Sequence, residues 1–312
     1  MSATAAGFRH ELAFYTDAAS LLAVTVPFVR AGLAAGDPVL VATPGPQLAL
    51  IRAALGTAGD AVGWADMTEA GRNPGRIIPC VLQAFADRHP DRRARIIGEP
   101  IWAGRTAEEY RACAQHEAAI NWAFAGRAAS ILCPYDAGRL EPGVLAEARC
   151  THPLLVDGDG DYRRIAGYSP AAVTERHNKP LPTPAEPVAV LRYDLDTLPR
   201  VRRFVADQAV AAGLAGDRVA DLQIAVTELA TNSVAHAGGA GTVQAWCTDR
   251  HLVCEVHDDG WLADPLAGRL APAHDGIGGR GLVIVHALCD LVLIHTTAAG
   301  TTVRLHMLRE AP

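Results

Sequence analysis

The stretch DRVADLQIAVTELATNSVA, residues 217–235, decides how the C-terminal part of this chain is read. Val219, Leu222, Val226, Leu229 and Ala230 recur at helical spacing and give a helix one apolar face for a core. Glu228, Asn232 and, just past the run, His236 stand four residues apart, so they stack along another side at successive turns. A carboxylate and a carboxamide one turn apart can serve one reaction centre, the first accepting a proton and the second holding a cation. Taken alone, the stripe reads first as a solvated helix face. Two later stretches change that reading.

Working outward, residues 188–195 (VAVLRYDL) read as a strand and 198–213 as an amphipathic helix. The runs at 242–248, 251–258, 291–297 and 301–308 read as antiparallel strands. The pattern predicts an α+β sandwich, with helices on one face of an antiparallel sheet. In VHDDGWLADP (256–265), Asp258 ends a strand and Gly260 follows two positions later. A carboxylate there can accept a hydrogen bond from the exocyclic amine of adenine, and glycine lets a ring approach the backbone. The plainer alternative is an Asp-Asp-Gly turn closing a strand. In GIGGRGLVIVHAL (276–288), glycines run into an apolar helix from Leu282, a geometry that offers N–H groups and a positive dipole end to phosphate. Gly276, Gly278 and Gly281 also spell G-x-G-x-x-G, but no strand immediately precedes them and no βαβ unit surrounds them, so the dinucleotide reading is rejected.

In this order and spacing, ELATNSVAH (228–236), DDG (258–260) and GGRGL (278–282) resemble the boxes of the GHKL (Bergerat-type) ATPase superfamily, over about residues 188–308. Within it the segment looks most like the anti-sigma-factor serine kinases (RsbW-like). The resemblance implies ATP and Mg²⁺ as cofactors. It implies Glu228 as general base, Asn232 as the ligand of nucleotide-bound Mg²⁺, and Asp258 with Gly260 at adenine. Gly278, Gly279, Arg280, Gly281 and Leu282 would line the phosphates, and His236 matches a frequent position of the first box. The implied partners are a sigma factor and an anti-anti-sigma (STAS) protein phosphorylated on Ser or Thr, and homodimerisation is the family expectation. Leu262 departs from the pattern, standing where the family has a second glycine. ATP binding is therefore expected ahead of catalysis, and an ATP-binding interaction module without phosphoryl transfer is the alternative.

Residues 168–187, YSPAAVTERHNKPLPTPAEP, carry five prolines. That density predicts an extended linker between a domain at 8–167 and one at 188–312. A sensor histidine kinase would need a helical hairpin bearing a phosphorylatable histidine here. The nearest candidate, His177, falls in this proline-rich stretch, which disfavours that reading.

Upstream, runs that read as strands at 11–15, 38–43, 61–67, 93–100 and 128–136 alternate with helical patterns at 20–35, 47–55, 75–88, 107–125 and 142–149. Alternation predicts an α/β domain with a mostly parallel sheet. No G-x-x-x-x-G-K-[ST] follows the second strand, where the sequence is ATPGPQLAL. Glu99, Trp102, Tyr135 and Asp136 fit a ligand site beyond the carboxyl ends of strands, whereas His10 and His152 read as isolated, structural histidines. HELAFY (10–15), GEPIW (98–102), YRACAQHEAAIN (110–121) and ILCPYD (131–136) resemble the MEDS domain, the DcmR-type sensory domain of methanogens, methylotrophs and actinobacteria. This implies a sensory role for a small-molecule or protein signal and transfers no catalytic residue.

A net charge of −6 gives no global basic field, and no helix-turn-helix stands out, so direct nucleic-acid binding is disfavoured. Seven scattered cysteines form no C-x-x-C pair, which suggests reduced, mostly buried thiols and no metal site beyond nucleotide-bound Mg²⁺. Arg9, Glu11 and Asp17 interrupt the N-terminal apolar residues, and no apolar run is long enough to span a bilayer. A cytoplasmic protein without membrane contact is expected.

Overall fold

The computed structural model describes residues 7–157, 160–185, 187–270 and 280–309, and its contacts divide the chain into two units between His177 and Asn178.

Unit 1 is built on β1 (Arg9–Tyr15), α1 (Ala18–Ala34), β2 (Val39–Thr43), α2 (Gly45–Leu55), β3 (Val62–Asp66) and α3 (Met67–Ala70). It continues through α4 (Ala84–Asp87), β4 (Ala94–Gly98), α5 (Ala107–Ala123), β5 (Ala129–Asp136) and α6 (Pro142–Thr151). It ends with β6 (Leu154–Val156), β7 (Tyr162–Arg164) and α7 (Pro170–Arg176). The sheet order is β3-β2-β4-β5-β1-β6-β7, and every pairing is parallel except β6 with β7. β2 and β5 are buried along their whole length, as near-continuous apolar strands covered on both faces should be. The helices start on local signals: Asp17 with Ser20 closes a capping box on α1, and Thr106 with Glu109 does so on α5. Only Pro44 separates β2 from α2, in place of a phosphate-binding loop.

Two local expectations are corrected, and two short strands were not anticipated. The single helix read over 75–88 is a short 3₁₀ turn (Pro74–Arg76), a π-helical segment (Ile77–Gln83) and then α4. Pro79 lies inside the π segment; it lacks an N–H and its ring collides with the carbonyl one turn back, so the regular ladder cannot run through it. β6 and β7, three residues each, are too short to show an alternation in sequence. The proline-rich stretch does not exclude a helix: Pro170 occupies the first turn of α7, where its missing N–H costs nothing.

Unit 2 comprises β8 (Ala189–Asp194), α8 (Leu198–Ala211), α9 (Gly216–His236), β9 (Ala240–Cys247), β10 (His251–Asp258), α10 (Arg280–Leu288), β11 (Leu291–Thr297) and β12 (Gly300–Leu308). The five-stranded sheet is antiparallel, in the order β11-β12-β10-β9-β8. Val243, Ala245, Cys254, Val256, Val303 and Leu305 present one face of it. Against that face pack Val201 and Val205 of α8, Leu222, Val226 and Leu229 of α9, and Val285 of α10 in one apolar core. The expected α+β sandwich is thus formed, and α9 is its central helix, touching α8, α10 and the sheet.

The second half of the proline-rich stretch lies along this sheet. Asn178 donates to the Thr296 carbonyl (2.7 Å) and accepts from the Thr296 N–H (3.0 Å), which caps the edge strand β11. Further on, Arg304 donates to the Pro182 carbonyl at 2.7 Å.

Candidate functional site

A cavity of about 600 Å³ in unit 2 opens between the C-terminal half of α9, the end of β10 and the start of α10. Its size falls in the range of small-molecule sites. Among the residues expected from sequence, Asn232, His236, Asp258, Gly260, Gly281 and Leu282 all line it. Asn232 is half-buried; His236, in the last turn of α9, is exposed. Arg280 is the exposed first residue of α10 and is not in the wall. Gly276, Gly278 and Gly279 lie outside the described residues.

Asp258 is held by two donors. Ser233 Oγ donates to its Oδ2 (2.6 Å) and the Gly260 N–H to its Oδ1 (2.9 Å). Ser233 in turn accepts from the buried Tyr193 hydroxyl at 2.9 Å. Each carboxylate oxygen keeps a lone pair, so the fixed group remains an acceptor toward the cavity. Gly260 serves a purpose other than ring approach alone: a Cβ there would meet the Ala237 Cβ at 2.5 Å, so glycine lets the turn after β10 close over the end of α9.

Glu228 is half-buried beside the cavity and not in its wall. A Cβ on Gly281 would meet Glu228 Oε2 at 2.9 Å and Asn232 Nδ2 at 3.3 Å, so the first turn of α10 lies close to both polar side chains of α9, whose ends would have to shift for a larger residue. That turn carries N–H groups without intrahelical partners.

Residues the sequence reading did not select complete the rim. Thr301 is buried and lines the cavity; its hydroxyl donates to the Gly260 carbonyl (2.7 Å) and stands 2.8 Å from Thr296 Oγ1. Thr296 Oγ1 accepts from the Leu262 N–H at 2.9 Å, which fixes the bulky Leu262 in the wall. Thr301 pairs directly with Asp258 across β10 and β12, so a strand register would have exposed it. Trp261 also lines the cavity and is 65% exposed.

In unit 1 the expected strand-end residues separate into two groups. Tyr15 ends β1, Glu99 follows β4 and Asp136 ends β5, all at carboxyl ends of parallel strands. The Tyr15 hydroxyl donates to Glu99 Oε1 (2.7 Å) and accepts from Gln47 Nε2 (3.3 Å). Glu99 is fully buried, and burial raises its pKa to about 8, with the Asp136 charge adding to the rise and the Tyr15 hydrogen bond opposing it. Its carboxyl is therefore largely protonated at neutral pH, and its Oε2, Thr43 Oγ1 and Gln47 Oε1 find no hydrogen-bond partner. Trp102 stands outside this group, stacked under the Arg105 guanidinium at 3.7 Å. Tyr135 belongs elsewhere. It lies edge-on to His152 at 5.8 Å, and His152 meets His10 with ring centroids 3.9 Å apart. The two histidines are thus not isolated.

No two cysteines form a disulfide, and no helix among the described residues is long and apolar enough to cross a membrane.

Residues 9–153 match the family model described as MEDS, the methanogen/methylotroph, DcmR sensory domain, and residues 191–307 match that of the histidine kinase-like ATPase domain. No curated protein matches the chain. Among solved structures it is similar to the RsbU and RsbW domains of Rv1364c from Mycobacterium tuberculosis, with 21% identity and a TM-score of 0.31. That match covers 41% of this chain and 35% of the other, so the chain spans about a third of that relative's length. It is also similar to the Acinetobacter baumannii histidine kinase AdeS, with 11% identity, a TM-score of 0.24, and 39% and 68% of the two chains covered. The protein therefore joins a MEDS domain, over residues 9–153, to a histidine kinase-like ATPase domain, over residues 191–307.

Proposed function

We propose that unit 2 binds Mg·ATP in the cavity between α9, β10 and α10 and acts as an anti-sigma regulator under the influence of the MEDS domain. The observation that carries the nucleotide reading is Asp258, clamped by Ser233 and the Gly260 N–H at the mouth of a 600 Å³ cavity whose wall also holds Asn232. Such a fixed acceptor suits the exocyclic amine of adenine, and a carboxamide oxygen suits a hard cation such as Mg²⁺. Bound Mg·ATP would supply the transferable phosphoryl group. On the chain's side, Asn232 holds the metal, the first turn of α10 offers N–H groups to the phosphates, and Glu228 takes the proton of an attacking hydroxyl. The substrate hydroxyl would be a Ser or Thr of an anti-anti-sigma (STAS) partner, and the protein sequestered a sigma factor. These partner assignments rest on the resemblance of ELATNSVAH, DDG and GGRGL to RsbW-like kinases.

A second reading, nucleotide binding without transfer, is favoured by one feature: Leu262 fills the wall while Glu228 stays outside it. Calorimetry with Mg·ATP on the wild type and on Asn232→Ala tests the binding site. The expected outcome is binding at micromolar concentration that weakens at least tenfold in the variant, with an unchanged circular dichroism spectrum. No heat of binding by the folded wild type rejects the nucleotide reading. Transfer of labelled phosphate to a STAS protein, abolished in Glu228→Ala with ATP binding retained, separates kinase from binding module.

A further inference from the structure

Inside unit 1, four residues far apart in sequence converge on one point. His10 lies on β1, Cys133 on the adjacent β5, Glu117 on α5, and His152 just beyond α6. All four are buried to 1% exposure or less. Glu117 Oε2 stands 3.3 Å from His10 Nε2 and 3.2 Å from His152 Nε2, and Cys133 Sγ is 3.4 Å from His10 Nε2. One ligating atom from each residue falls within 4.8 Å of all the others.

The surrounding hydrogen bonds fix what these atoms present. Asn121 donates its amide hydrogens to the carbonyls of Glu117, Ala118 and Thr151, which turns its Oδ1 toward His10 Nδ1 at 3.2 Å as an acceptor. His152 Nδ1 lies 2.7 Å from the Ala148 carbonyl, again only an acceptor. Both imidazoles therefore carry their proton on Nδ1, and in the neutral tautomer both Nε2 lone pairs aim at the Glu117 carboxylate. Lone pairs facing a carboxylate repel unless something positive lies between them. Neither Glu117 oxygen nor His152 Nε2 has a hydrogen bond of normal geometry to relieve this. Without a cation, the same point has to be filled by the Cys133 S–H donated to His10 Nε2 and one further proton held between His152 Nε2 and Glu117.

We propose that His10 Nε2, His152 Nε2, Glu117 and Cys133 Sγ bind one zinc-class divalent cation in a closed, four-coordinate site. With bonds of about 2.0–2.1 Å to nitrogen and oxygen and about 2.3 Å to sulfur, the edges of a tetrahedron are about 3.3–3.6 Å, close to the 3.2–3.4 Å of three of the contacts, and the remaining pairs lie within 4.8 Å. On binding, the Cys133 thiol releases its proton to solvent and the sulfur ligates as thiolate. The dication is then neutralised by one thiolate and one carboxylate, so no net charge is left in the core. Nδ1–H donation from each histidine to a carbonyl oxygen is the outer support that orients imidazole ligands on metals. With every position taken by protein and none by water, the site is structural: it ties β1 and β5 to α5 and α6. It stands independently of the nucleotide reading of unit 2.

The test uses the full-length wild type. Zinc, measured by mass spectrometry after gel filtration, is expected at about one per chain, and X-ray absorption at the zinc edge should show one sulfur with three nitrogen or oxygen neighbours. Exchange for Co²⁺ should give the visible bands of a tetrahedral ion and a near-ultraviolet thiolate charge-transfer band. Cys133→Ser should lose the charge-transfer band, and Glu117→Gln should bind Co²⁺ at least tenfold more weakly. A folded wild type that retains no zinc and gives no tetrahedral cobalt spectrum overturns the proposal. So does a first shell of nitrogen and oxygen alone, which would mean metal held by other histidines. Because the zinc-edge measurement needs no variant, misfolding of either substitution leaves the decision intact.

Discussion

Ser233 is a small polar residue on which the candidate site depends. It accepts a hydrogen bond from the Tyr193 hydroxyl and donates one to Asp258, so it sets the direction of that carboxylate at the cavity. Ser233→Ala leaves the buried Tyr193 hydroxyl without that acceptor, a loss of about 1–3 kcal/mol in stability. It should also weaken ATP binding roughly tenfold by freeing Asp258, about 1.4 kcal/mol. Inorganic triphosphate, which has no adenine, should bind as before; an equal loss for both ligands would remove Asp258 from adenine recognition. Glu99 offers a second residue-scale expectation. Its pKa is 4.5 in an unfolded chain and about 8 in the fold, raised by burial. Below pH 4.5 both states hold the proton; between these values only the native state does, so stability falls as pH rises through the window. At about 1.4 kcal/mol per pKa unit, the drop amounts to a few kcal/mol. Urea titrations at several pH values should show a flatter profile for Glu99→Gln, and parallel profiles would contradict the burial argument. At this scale the sequence was partly legible. Glu228, Asn232 and Asp258 stand out by type and spacing, but Ser233 and Thr301 are common residues whose importance arises only from the helix rotation and strand register that bring them to Asp258.

Among the elements, α9 was legible because burial repeats every three to four residues: Leu222, Ala225, Val226, Leu229, Ala230 and Ser233 form its buried side. The strands of unit 2 were legible for the same reason, their apolar residues facing one core. The segment between the helices and sheets was not. Proline density suggested a free connector over 168–187, yet α7 forms at its start and Asn178 bonds along β11. Proline restricts φ without forbidding a first helical turn or a strap laid on a sheet edge, so composition alone could not tell these from an extended linker. Asn178→Ala removes both side-chain bonds to Thr296 and uncovers the backbone of an edge strand. The expected cost is about 1–2 kcal/mol, with faster hydrogen exchange at the Thr296 amide. Unchanged exchange would show that the strap does not guard β11.

For the molecule as a whole, local motifs revealed unit 2 better than unit 1. The ATPase-like boxes are short contiguous words, whereas His10, Glu117, Cys133 and His152 are single letters on four different elements that only a parallel sheet with its crossover helices can assemble. Scattered cysteines and lone histidines therefore looked structural in sequence, and the fold makes two of each kind's members neighbours of different sorts: His10 and His152 share one carboxylate, while Cys254 and Cys289 simply fill the apolar core of unit 2. The rim of the candidate cavity has a practical side as well. Of the five tryptophans, Trp64, Trp102 and Trp122 are partly shielded and Trp246 is buried, so Trp261 alone stands in water, and it stands in the cavity wall. Its indole is a fluorophore placed at the entrance by the chain itself. A ligand settling against it changes the polarity around one emitter out of five, so arrival and departure can be timed by stopped-flow emission on the unlabelled protein.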